Sequence, residues 1–138
     1  MTTRILVINT SDDILGLFRK ILATEDRHVF LQVYENSDLQ EVQQIQPDLI
    51  ILDYYVGREG VGWAFLQLLK MEEATAAIPV LICTTAVKLV QEIEGYLATK
   101  QVTLLRKPFE SHDLVSAVQA ALEGEGTRAS GKDGAAAG

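Results

Sequence analysis

The chain has 138 residues, 48% of them hydrophobic, and carries 12 Lys and Arg against 19 Asp and Glu for a formal charge of −7. That length suits one domain with its own core, and scattered basic residues in an acidic chain exclude a general nucleic-acid surface. No apolar run approaches the roughly eighteen residues of a membrane span, and residues 1–4 leave no room for a signal peptide, so a cytoplasmic protein without membrane contact is expected.

Residues 5–8, Ile-Leu-Val-Ile, form a continuous apolar run, the signature of a strand covered on both faces. Ile14, Leu15, Phe18, Ile21 and Leu22 then fall on one helical stripe, and Ser11, Asp12 and Asp13 before it are residue types favoured at a helix start. Val29, Leu31 and Val33 alternate with Phe30 and Gln32 as a second strand. Leu39, Val42 and Ile45 make a short helical stripe stopped by Pro47, which disfavours helical geometry at Gln46.

A third apolar run, Leu-Ile-Ile-Leu at 49–52, ends in Asp53. After "VGREGVG", whose Gly57, Gly60 and Gly62 suit a loop with positive φ angles, Ala64, Phe65, Leu68 and Leu69 recur at helical spacing to about Met71. Residues 78–83 form a fourth strand, with Pro79 near its start and the lone cysteine, Cys83, inside it as a core thiol. Val87, Leu89, Val90, Ile93, Tyr96 and Leu97 predict a broadly apolar fourth helix, residues 102–105 a fifth strand, and Leu114, Val118, Ala121 and Leu122 a fifth helix. From residue 124 onward "GEGTRASGKDGAAAG" has no apolar periodicity, so 1–123 is the folded unit and 124–138 a flexible tail or linker. Its "GTRASGKD" fails as a phosphate loop, because Asp133 replaces the required hydroxyl and no strand precedes it.

Five βα units predict an α/β, doubly wound parallel sheet with helices on both faces. Ligands of such sheets gather outside the carboxyl ends of the strands. The residues there are Asn9 and Thr10, then Asp53, then Thr84 and Thr85, then Arg106 and Lys107. A carboxylate, a hydroxyl and an ammonium meeting at one edge can bind a phosphoryl group, with Asp53 as acceptor. Taken singly, each residue has a plainer use: an Asp or Thr that caps a loop, a Lys-Pro pair that turns the chain.

The order and spacing of "DLIILD", "IPVLICT" and "RKPF" on five βα units resemble the receiver domains of two-component response regulators, from Arg4 to about Glu123. The resemblance implies a flavodoxin-like (βα)5 sheet with strand order 2-1-3-4-5 and no catalytic output of its own. It further implies Asp53 as phosphoacceptor, Thr84 and Lys107 as phosphoryl contacts, and a cis peptide between Lys107 and Pro108. The partners it implies are a sensor histidine kinase or other signalling protein, or a second copy, through the face of the fourth helix, fifth strand and fifth helix.

Three departures bear on chemistry. Receivers of this kind carry two acidic residues after the first strand, followed by a fixed apolar pattern in the first helix. Counted from Asn9 that pattern falls on Ile14, Leu15, Leu17, Phe18, Ile21 and Leu22, whereas counting from Asp12 breaks it, so Asn9 and Thr10 hold the acidic-pair positions. A site of Asp53, Asn9 and Thr10 has one formal negative charge, so Mg2+ binding is expected to be weak or absent, any residual site drawing on Asp53 and Asp12, with Glu59 a further source of a carboxylate. Leu104 stands at the position of the family's switch aromatic, and Gly57 where a proline is usual.

Other residues carry less. Tyr54, Tyr55 and Trp63 suit packing near the site, and His28 and His112 have no metal-ligand spacing. The sequence therefore supports an atypical receiver, or pseudo-receiver, that signals through protein contacts, with Mg-dependent phosphorylation of Asp53 weak or absent. The alternatives are an orthodox phosphoaccepting regulator and, further off, an Asp-nucleophile phosphatase, whose second acid would stand where Tyr55 is.

Overall fold

A computed structural model describes residues 2–9, 12–33, 38–53, 59–84 and 101–123, with the backbone alone at 12, 13, 33, 53 and 59–63. Its elements are β1 (Thr3–Asn9), α1 (Asp12–Leu22), β2 (Arg27–Val33), α2 (Leu39–Ile45), β3 (Leu49–Asp53), α3 (Glu59–Met71), α4 (Glu73–Ala76), β4 (Val80–Thr84), β5 (Val102–Arg106) and α5 (Ser111–Leu122). The five strands are parallel in the order β2-β1-β3-β4-β5, the expected doubly wound sheet. The predicted fourth helix, Thr10, Tyr54, Tyr55, Gly57, Thr85 and the 124–138 tail lie outside the described residues.

Continuous apolar strands need cover on both sides, and each sheet face has its own core. On one face Ile5, Val7, Leu49, Ile51, Leu81, Cys83 and Leu105 pack against Leu15, Phe18 and Leu22 of α1 and Leu114, Ala117 and Val118 of α5. On the other, Leu6, Ile8, Ile50, Leu52, Ile82 and Leu104 pack against Val42 of α2 and Phe65, Leu66 and Leu69 of α3. Cys83 is buried and unbridged, as a core thiol should be.

Local signals explain the helix ends. The Asp38 carboxylate accepts the Glu41 N–H at 2.7 Å and caps α2, and Gln46 ends that helix in the left-handed region at φ 53°, just before Pro47, which cannot continue it. The Glu110 N–H donates to the Asp113 carboxylate at 2.9 Å at the start of α5. The α1 helix begins at Asp12, which puts Asp12 and Asp13 in its first turn.

Three expectations are corrected. Gly60 and Gly62 are helical, since α3 begins at Glu59; glycine costs a helix only about 1 kcal/mol, which the packing of Phe65, Leu66 and Leu69 offsets. The inward face of α3 is rotated by one position: Phe65, Leu66, Leu69 and Lys70 are buried, while Ala64 and Leu68 are exposed. Lys70 can lie inward because its ammonium donates to the carbonyls of Ala76 at 3.0 Å and Ile78 at 2.7 Å. Those two bonds, with the Thr75 hydroxyl donating to Leu69 O at 2.6 Å, hold the short α4 that periodicity did not announce. Finally β4 starts at Val80, because Pro79 has no N–H and the Ile78 N–H is used by Thr75 O in the preceding turn.

One buried group is out of keeping with its surroundings. Gln32, 8% exposed on the edge strand β2, has no hydrogen-bond partner for either amide atom among the described residues.

Candidate functional site

Because all five strands run the same way, their carboxyl ends share one edge, and the ladder register fixes which residues meet there. Ile8 pairs with Leu52, so Asn9 and Asp53 are the next residues out on adjacent strands, about 4.8 Å apart laterally. On the other side Asp53 pairs with Cys83, and Thr84 follows one residue further along, opposite Arg106. The Lys107 N–H donates to Thr84 O at 2.9 Å, which ties the chain beyond β5 to the end of β4. The structure therefore brings Asn9, Asp53, Thr84 and Lys107 to one edge, in that lateral order.

Their settings differ. Asn9 and Thr84 are buried, and Lys107 is half-buried ahead of a cis peptide to Pro108, the isomer that the sequence resemblance implied. Leu104 is fully buried in the core against α3, two residues inside the end of β5. A side chain there with no exposed surface is a packing element, so an aromatic group could occupy the position only by displacing its neighbours.

The charge at these strand ends is unusual for a cation site. Asn9 is a neutral amide, Asp53 brings one negative charge, and Arg106 with Lys107 brings two positive ones. Such a set suits an anion better than a hard dication, which selects carboxylate oxygens. Among the described residues no group of three His, Cys, Asp or Glu is placed to hold a metal ion. The acids nearest in sequence, Asp12 and Asp13, begin α1.

Sequence reasoning missed the surface beside this edge. An apolar groove of about 480 Å³ opens next to Lys107, between Pro108 and Phe109 on one side and Ile14, Leu17 and Ile21 on the other. The Phe18 and Phe109 rings close its floor at 6.5 Å between centroids. The "RKPF" motif showed that Phe109 follows the lysine, but not that its ring meets α1.

A family model described as the response regulator receiver domain matches residues 5–119. The chain is 35% identical over 79 residues to the DNA-binding dual master transcriptional regulator RpaA of Synechocystis, covering 57% of this chain and 32% of that protein. It is 29% identical over 122 residues to the phosphate regulon transcriptional regulatory protein PhoB of Klebsiella pneumoniae, covering 88% of this chain and 52% of PhoB. It thus spans only a third to a half of the curated relatives' length. Among solved structures it is similar to the chemotaxis response regulator CheY4 of Vibrio cholerae, with a TM-score of 0.72, 22% identity, and 88% and 99% of the two chains covered. It is likewise similar to the signal receiver domain of a signal transduction histidine kinase from Syntrophus aciditrophicus, with a TM-score of 0.73, 21% identity, and 89% and 92% covered.

Proposed function

The chain belongs to the response regulator receiver family of two-component signalling, and on that premise we propose that it is an atypical, cytoplasmic receiver that passes its signal through protein contacts, with magnesium-dependent phosphorylation of Asp53 weak or absent. The observation that carries this reading is Asn9, a neutral and fully buried amide on the strand next to Asp53, where the family places a carboxylate. A divalent ion offsets charge as a phosphoryl group moves to a carboxylate, so a donor set with one negative charge slows acceptance. In this reading Thr84 and Lys107 keep the positions of phosphoryl contacts, Lys107 as a point charge and Thr84 as a hydroxyl donor. Leu104 replaces the aromatic switch, so a change at Thr84 has no rotating ring to carry it outward.

The second reading, an orthodox phosphoacceptor, draws on the Lys107–Thr84 backbone link and on Asp12 beginning α1 directly after the strand end. In that case Asp12 supplies the missing charge. Partners in either reading are a histidine kinase or another signalling protein. Titrating magnesium against Trp63 fluorescence separates the two: the atypical receiver shows no saturable change, and saturation at low concentration favours the orthodox one. Turnover of a phosphate ester would instead point to a phosphatase.

A further inference from the structure

The described residues expose three large hydrophobic side chains: Leu17 on α1 at 54%, and Leu68 and Met71 on α3 at 49% and 81%. They lie over opposite faces of the sheet, and their surroundings carry opposite charge.

Around Leu17 the groove next to Lys107 continues into a second concavity of about 680 Å³ between α1 and α5, the two sharing Leu17, Ile21 and Ser111. Among the described residues, the lining contains Lys20 and Lys107 and no carboxylate. At the start of α5, Glu110 and Asp113 sit against His112 at 3.5 and 3.3 Å.

Around Leu68 the pattern is reversed. Ala64, Leu68 and Met71 recur at i, i+4 and i+7, an exposed apolar stripe on α3, and exposed Glu72 and Glu73 stand at its end. The one cation in α2, α3 and α4 is Lys70, and it is turned inward onto two carbonyls. Neighbouring α2 adds exposed Glu41, with exposed Asp38 at its start, while at its far end the Arg4 guanidinium donates to Ile45 O and the Arg4 N–H to the Asp48 carboxylate.

From these complementary surfaces we infer that one copy of this chain docks on another, the α3 stripe of the first seating in the α1–α5 groove of the second. Leu68 and Met71 enter the groove, as ridge packs into groove between helices, and Glu72 and Glu73 face Lys20. The two patches differ and lie on opposite faces of the sheet, so the contact is heterologous and successive copies add head to tail. A patch of this size, between molecules that each carry a charge of −7, gives weak association rather than an obligate dimer. The inference does not depend on phosphorylation of Asp53.

The test uses the 138-residue chain and two exposed positions whose substitution leaves the core intact. Leu17→Asp spoils only the groove, and Met71→Asp spoils only the stripe. In sedimentation velocity from micromolar to millimolar concentration, the wild type grows past dimer, and each variant alone remains monomeric. An equimolar mixture of the two variants forms a dimer and stops there, because one intact groove meets one intact stripe. A wild type that stays monomeric overturns the inference, as does a dimer that survives Met71→Asp or a variant mixture that does not associate. Circular dichroism of each variant confirms that the loss is not unfolding.

Discussion

Replacing Asn9 by Asp restores a carboxylate at the end of β1, and the structure sets what that costs. Asn9 is fully buried and lies about one strand spacing, 4.8 Å, from Asp53. Two like charges about 5 Å apart at an effective dielectric constant of about 20 repel by about 3 kcal/mol, before any cost of burying the new carboxylate. Without divalent cations Asn9→Asp is therefore expected to be less stable than wild type by about 3 kcal/mol, a fall of about 10 °C in Tm for a domain of this size. Magnesium at about a hundred times its Kd returns about 2.7 kcal/mol of that, whereas a wild-type site whose Kd is no lower than the magnesium concentration gains at most about 0.4 kcal/mol. Urea and thermal unfolding of both proteins, in chelator and in magnesium, measure the four stabilities. Equal magnesium stabilisation of wild type and variant would refute the view that Asn9 is what weakens the site. So would a variant that loses stability and recovers none of it with the metal.

Two further predictions concern buried polar groups. Gln32→Leu removes an amide that has no partner on β2 and is expected to raise stability by about 1 kcal/mol in urea unfolding; a loss of that size would mean that the amide is hydrogen-bonded in solution. Lys70→Met removes both bonds to the carbonyls of Ala76 and Ile78 and is expected to cost about 2 to 3 kcal/mol, with hydrogen exchange quickening first across 72–79; unchanged exchange there would show that the ammonium does not hold α4.

The sheet was legible in the sequence because its inner strands hold continuous apolar runs ending in polar residues, at 5–8, 49–52 and 80–83. Strand ends in a parallel sheet share one edge, so Asp53, Thr84 and Lys107 could be placed together before any coordinate was known. The face of α3 was not legible. Leu66, Leu68 and Leu69 leave two stripes nearly equal in apolar content, and what decides between them is Lys70, a cation that goes inward to reach carbonyls eight or fewer residues ahead. Periodicity treats every lysine as a solvated residue and so points the helix the wrong way. The same blindness applies to Gln32, which alternation assigns to a polar face that the structure buries. The groove between α1 and α5 is formed by two helices about ninety residues apart in sequence, and only the tertiary packing of Phe18 on Phe109 reveals it.

That the neutral Asn9 beside Asp53 leaves this receiver without efficient magnesium-dependent phosphorylation is tested most directly by intact-mass spectrometry after incubation with a small phosphodonor, with and without magnesium, on wild type and Asp53→Asn. The wild type is predicted to show no magnesium-dependent phosphoryl adduct. A near-stoichiometric adduct that requires magnesium and disappears in Asp53→Asn would contradict it.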